Sequence, residues 1–155
     1  MLLAVPMDEK SVMLTQSEAD ALIAMRKVFV NPDTISLSPG TDETHDVVGD
    51  DKREQFMLDL WRGTIRLSKI KYQTRGRRVI VLVRLDIDGA PHTNPDGAQL
   101  IGTHLHLYRE GYEAKWAFSV DTAAFTDATS ISQCFEDFCR YCNIGDVPPF
   151  QEVLL

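Results

Sequence analysis

The chain has 155 residues, 44% of them apolar and 25% charged, with a net charge of −7. That length suits one domain able to bury a core without staples, and the composition is not that of a disordered tail. No run approaches the roughly 18 apolar residues of a membrane span, so no membrane partner is expected.

The opening MLLAVPMDEK lacks a basic n-region and a full apolar h-region, so no secretory leader is expected there. Thr15-Gln16-Ser17-Glu18 is a capping box, and Ala19, Leu22, Ile23, Met25, Phe29 and Val30 follow at roughly helical spacing. Asn31-Pro32 ends that first helix. From Asp33 to about residue 53 the chain is rich in turn formers and reads as an exposed loop, with at most a short strand at Thr34–Leu37 and with His45 in solvent.

In EQFMLDLWR, Phe56, Leu58 and Leu60 alternate as the apolar face of a strand. Gly63 breaks it, and Thr64–Ile70 reads as a connection with Ile65, Leu67 and Ile70 turned inward. KYQTRGRRVIVLVRLDID reads as a hairpin turning at Arg75-Gly76-Arg77. In its second arm Val79, Val81, Val83, Leu85 and Ile87 share one face, and Ile80, Leu82, Arg84, Asp86 and Asp88 the other. Pro91–Gly102 is expected to be a wide loop, followed by strands at Thr103–Glu110 and Ala114–Val120 across a Gly111 turn. Ser130 caps a last helix carrying Ile131, Cys134, Phe135, Phe138, Tyr141 and Cys142 on one side.

The expected architecture is therefore a single α+β domain over residues 1–155, with its core at about 12–147. An antiparallel four- to five-stranded sheet carries the N- and C-terminal helices packed on one face.

Charge is unevenly distributed. Residues 1–61 carry −7, residues 62–85 carry +8 with no acid, and residues 86–155 carry −8. Half of all Lys and Arg thus lies in 24 consecutive residues, a candidate positive ribbon on an acidic protein. The bland alternative is that these side chains pair with acids elsewhere in the fold.

Period two places His104, His106, Tyr108 and Glu110 on one face of their strand. If Leu105 and Leu107 join the apolar face, this row lies on the opposite side, together with Arg84, Asp86 and Asp88 of the neighbouring strand and with His92 at its rim. Three readings fit the row. His104, His106 and Glu110 resemble the first metal motif of cupins over about seven residues. The preceding glycine spacing is off by one and no later histidine follows, so neither a metal nor another cofactor is assigned.

Metal-independent RNA cleavage needs an acid/base pair and phosphate clamps. His104, His106, Tyr108 and Glu110 supply the catalytic candidates. Arg75, Arg77, Arg78, Arg84, His92 and Asn94 supply the binding set. This reading, an RNA- or phosphate-ligand-binding protein that acts as an endoribonuclease of bacterial toxin type, rests on analogy of form. The alternative is a non-catalytic interaction protein of inhibitor or immunity type, with a protein partner in place of RNA.

Cys134-x4-Cys139-x2-Cys142 lies in a helical pattern with no fourth cysteine, so core packing is expected. An odd number of closely spaced cysteines suits a reduced, cytoplasmic protein better than a disulfide framework. Trp61, Tyr112 and Trp116 could stack bases but are ordinary strand residues first.

The segments KYQTRGRRVIVLVRLDIDGAPHTNPDG, THLHLYREGYEAKWAF and FCRYCNI resemble, in wording and order, an uncharacterised family of small bacterial proteins, a domain of unknown function. The likeness spans roughly residues 55–144. It implies a bacterial origin and carries no activity onto any residue.

Overall fold

The computed structural model describes residues 13–153; the opening ten residues lie outside them. It is dominated by one antiparallel meander. Strands β3 (Asp42–Gly49), β4 (Gln55–Arg62), β5 (Ile70–Gly76), β6 (Ile80–Thr93), β7 (Gln99–Arg109) and β8 (Glu113–Ser119) pair in sequence order. Beyond β3 the sheet continues through β1 (Lys27–Phe29), antiparallel to β3, and β9 (Ile144–Gly145), parallel to β1. A separate pair, β2 (Ile35–Leu37) with β10 (Phe150–Glu152), completes the strands.

The expected four- to five-stranded sheet with helices on one face is therefore corrected. The sheet has eight strands and curls into a half-barrel, and the helices α1 (Gln16–Ala24) and α2 (Ile131–Tyr141) are short, of 9 and 11 residues. Two local misreadings account for two of the three missing strands, the third being the two-residue β9. The segment read as the end of the first helix leaves helix at Met25, whose ψ of 132° is extended, and Lys27–Phe29 then pairs with β3. Its apolar spacing fits a two-residue period as well as a helical one. The polar stretch read as a loop contains β3, of which only Val47 and Gly49 are buried. A strand with one face in water needs few apolar residues, because its backbone bonds to β4 hold it. His45 lies on that strand, half-buried against Phe29 rather than in solvent.

The core fills the inner face. Phe56, Leu58 and Leu60 of β4 alternate inward as expected, beside Ile70 and Tyr72 of β5. Phe135 and Phe138 of α2 meet the Tyr72 ring at 5.4 and 6.0 Å. All three cysteines are buried as free thiols. Ile65, at 99% exposure, and Leu67 do not turn inward; the 63–69 connection carries them outside.

The charged side chains of Lys27 and Arg62 are also interior. Lys27 donates to the carbonyls of Ile23, Met25 and Cys142, and Arg62 to those of Leu67, Leu37 and Val153. Each closes off backbone acceptors where the chain leaves regular structure.

The β5–β6 hairpin turns at Arg77 and Arg78, both left-handed (φ 48° and 71°), rather than at residues 75–77. Register slips between Thr74 and Arg75, which face Val83 and Val81. The extra residue lets Leu82 and Val83 both be buried, so the simple alternation expected for this strand fails at its start. From Val83 onward it holds: Leu85 faces the core and Arg84 and Asp86 face out.

Candidate functional site

The pairing of β6 with β7 sets Arg84 opposite His106 and Asp86 opposite His104. Period two then places these four side chains on the outer face. The shared face follows from strand order and alternation; the register between the two strands does not. Nor does the sequence show that this face is covered.

Residues 91–102 do not form a wide loop. β6 and β7 continue as a ribbon to a tight turn at Asn94–Ala98, shifting register at Gly89 opposite Gly102. The ribbon folds its tip over the outer face. Asn94 clasps Ala117 of β8, donating to its carbonyl and accepting from its N–H at 2.9 Å each. His92 bonds to the Lys115 carbonyl through Nε2 at 2.8 Å, and its ring lies 4.6 Å from that of His106 and 5.8 Å from that of His104. Beneath it His104 and His106 are each only 1% exposed and Asp86 6%.

The protons of the two imidazoles are positioned by the main chain. His104 Nδ1 lies 3.0 Å from the Gly102 carbonyl and His106 Nδ1 2.8 Å from the Ala114 carbonyl. A carbonyl only accepts, so both Nδ1 atoms carry hydrogen. Two groups lie near His106 Nε2, Arg84 Nη2 at 3.0 Å and Asp86 Oδ2 at 3.5 Å. Guanidinium can only donate. The shorter contact therefore makes His106 Nε2 a lone-pair acceptor. His104 Nε2 lies 3.4 Å from the same Asp86 oxygen. Burial holds the His104 imidazole below its ordinary value, against the opposing pull of Asp86 and the Gly102 carbonyl, which keeps its Nε2 lone pair free at neutral pH.

Asp86 is a carboxylate throughout the physiological range. Burial pushes it up, but the charge-assisted hydrogen bonds of Arg84 outweigh burial and hold it well below the ordinary carboxylate range. Arg84 reaches Asp86 Oδ1 through Nε at 2.7 Å and Oδ2 through Nη2 at 3.2 Å. The result is two Nε2 lone pairs and a carboxylate oxygen converging under a histidine lid, all within 4.8 Å of one another. Arg84 supplies the balancing charge.

Tyr108 and Glu110 do not join this group. The Tyr108 hydroxyl donates to the Leu14 carbonyl at 2.6 Å in the core, and Glu110 accepts from the Gln16 N–H at the start of α1. The positive ribbon is largely neutralised from within the fold. Arg75 forms a forked pair with Asp59 at 2.7 and 2.8 Å. Arg77 lies 3.7 Å from Glu18 and 3.9 Å from Glu54. Arg66 binds Asp88, and Arg62 is buried. Arg78 stays exposed at the hairpin turn, away from the histidines. Of the aromatics, Tyr112 and Trp116 pack edge to face, with Arg109 over Trp116.

Asp86 is the site residue that the choice of candidates omitted, although strand periodicity had placed it on the right face. The acceptor carbonyls of Gly102 and Ala114 carry no sequence signal at all.

Comparison with known proteins names the family without naming a function. The model of a family of unknown function, DUF6978, matches residues 14–144. The chain belongs to that family. No curated protein matches it. No solved structure does either. Among the described residues, no helix is long and apolar enough to cross a membrane.

Proposed function

We propose that this protein binds a divalent transition metal ion of the zinc class through His104 Nε2, His106 Nε2 and Asp86. The observation that carries this reading is the fixed orientation of both imidazoles. Each donates Nδ1–H to a main-chain carbonyl and so aims its Nε2 lone pair at one carboxylate oxygen. Metal-binding histidines are held in this way, because the outer hydrogen bond fixes the tautomer and raises ligand basicity.

Two further features support it. The Nε2–Oδ2 distances of 3.4 and 3.5 Å are not hydrogen bonds by geometry, yet they lie near the edge of about 3.3 Å separating two ligands of a tetrahedral ion with bonds of ~2.0–2.1 Å. Two imidazoles and a carboxylate also suit zinc, iron(II) or manganese better than hard calcium. Three protein ligands leave a position for an exchangeable ligand, the arrangement of sites that act on a substrate rather than staple a fold.

RNA cleavage draws less support. A polynucleotide cannot touch imidazoles that are 1% exposed beneath His92, and Arg75 and Arg77 already hold acids. A small ligand is the better fit.

The test is a competition titration of Zn²⁺ against a chelating dye. Wild type is expected to take up roughly one equivalent, and His104→Ala and His106→Ala to weaken uptake by more than about 100-fold while keeping their circular dichroism. Equal uptake by the wild type and both variants would reject the site.

A further inference from the structure

We infer that the metal is taken up together with a small oxyanion, a carboxylate or phosphate group, held beside it by Arg84. The inference rests on the metal reading above and names what fills the remaining position.

The first argument is charge. Imidazoles that ligate through their lone pairs add no charge, and Asp86 and Arg84 cancel. A dication added to the same buried cluster leaves two uncompensated positive charges among side chains that water barely reaches. An anion entering with the ion lowers that excess; without one, Arg84 and the metal repel each other across two shared atoms.

The second argument is geometry. Arg84 Nη2 now donates to His106 Nε2 at 3.0 Å and to Asp86 Oδ2 at 3.2 Å, the two atoms that would bind the ion. Metal ligation uses the His106 lone pair, so Nη2 must find another acceptor. Nε can stay on Asp86 Oδ1, which anchors the side chain while the end of its fork turns. Among the described residues Nη1 makes no hydrogen bond. A fork with one free edge matches the two oxygens of a carboxylate or phosphate.

The third argument is access. Arg84 is 28% exposed, against 2% for the His104 and His106 side chains, so it is the member of the group that meets solvent. It lines two clefts. One, of about 520 Å³, is bounded by Val79, Ile80, Val81 and Lys115. The other, of about 270 Å³, is bounded by Trp61, Lys71 and Gln73 together with the carboxylates of Asp42 and Asp59. The two acids of the second cleft disfavour an anion there. The first, with Lys115 against a single acid, Glu113, and a wall of Val79, Ile80 and Val81, is the better place for a second anionic oxygen and a small organic body.

The experiment measures Co²⁺ affinity by its visible absorption in sodium chloride, in acetate and in methyl phosphate, all at one ionic strength. Wild type is expected to bind Co²⁺ about tenfold or more tightly in at least one oxyanion than in chloride, and the metal to tighten oxyanion binding by the same factor. The better of the two salts identifies the head group. Arg84→Met is expected to lose this dependence, and Arg84→Lys, which keeps the charge, to retain part of it; thermal melts confirm that each is folded.

Wild type that binds Co²⁺ equally in all three salts would overturn the inference and leave the metal reading standing. So would an unchanged enhancement in Arg84→Met. No Co²⁺ binding in any salt would remove the metal reading itself, and this inference with it.

Discussion

Replacing Gly102 by alanine tests how the backbone builds the site. Gly102 has φ of +81°, faces Gly89 across the ribbon, and gives its carbonyl to His104 Nδ1. A Cβ there would meet nothing within 4 Å, so the substitution causes no clash. Its cost is the left-handed backbone alone, about 1–2 kcal/mol, offset by the ~0.4–1 kcal/mol that alanine removes from the freedom of the unfolded chain. The net loss is roughly 1 kcal/mol, which for a chain of this size lowers Tm by about 2–4 °C.

Gly89→Ala is the contrasting perturbation. Its backbone is not left-handed, but a Cβ would stand 3.2 Å from Asp86 Cβ and 3.5 Å from His104 Cε1, pushing on two of the proposed ligands. Urea denaturation and Zn²⁺ titration of both variants separate the two effects. Gly102→Ala is expected to lose stability and keep uptake within about tenfold, and Gly89→Ala to lose more uptake than stability. Gly102→Ala as stable as wild type would refute the backbone argument, and unchanged uptake in Gly89→Ala would refute the packing of Asp86 against His104.

Other outcomes follow from the same contacts. Arg75→Ala breaks the forked pair with Asp59 and should cost about 1 kcal/mol at neutral pH, measured by urea denaturation. Burial raises the Asp59 carboxyl, but the hydrogen bonds of Arg75, Gln73 and Thr44 hold it below its ordinary value. The stabilisation is therefore fully present above pH ~4 and lost as pH falls below the ordinary carboxylate range, so the gap between wild type and Arg75→Ala should close in acid. Lys27→Met strands three carbonyls and should cost roughly 2–4 kcal/mol in the same assay, after relief of the buried ammonium. Burial pushes the Cys134 and Cys142 thiols up to about 11 and about 12, and Cys139 well up. Iodoacetamide at pH 8 should leave all three unmodified in the folded protein and label all three in denaturant, read by mass spectrometry.

The shared face at the heart of the site was legible in the sequence. Two consecutive strands with alternating residues put His104 and His106 on the face of Arg84 and Asp86, while the register that sets them opposite one another belongs to the fold. The caps of both helices were legible too, at Thr15 and Ser130, because capping is a local interaction over three residues. The size of the sheet was not. β3 hides among turn formers because its outer face is polar, and β1 hides behind an apolar spacing that serves helix or strand. Burial of the histidines was invisible for a different reason. It depends on the ribbon tip folding back so that Asn94 reaches Ala117, 23 residues away, which no local pattern encodes. The paired arginines repeat that lesson: Arg75 and Asp59 are neighbours only because β4 and β5 are.

The most direct measurement is X-ray absorption at the zinc edge of protein loaded with one equivalent of Zn²⁺. The account predicts a nitrogen and oxygen shell at about 2.0–2.1 Å with the outer scattering of two imidazoles and no sulfur, and loss of the imidazole scattering in His104→Ala/His106→Ala. Sulfur at about 2.3 Å would place the ion on Cys134, Cys139 or Cys142 instead and contradict the assignment.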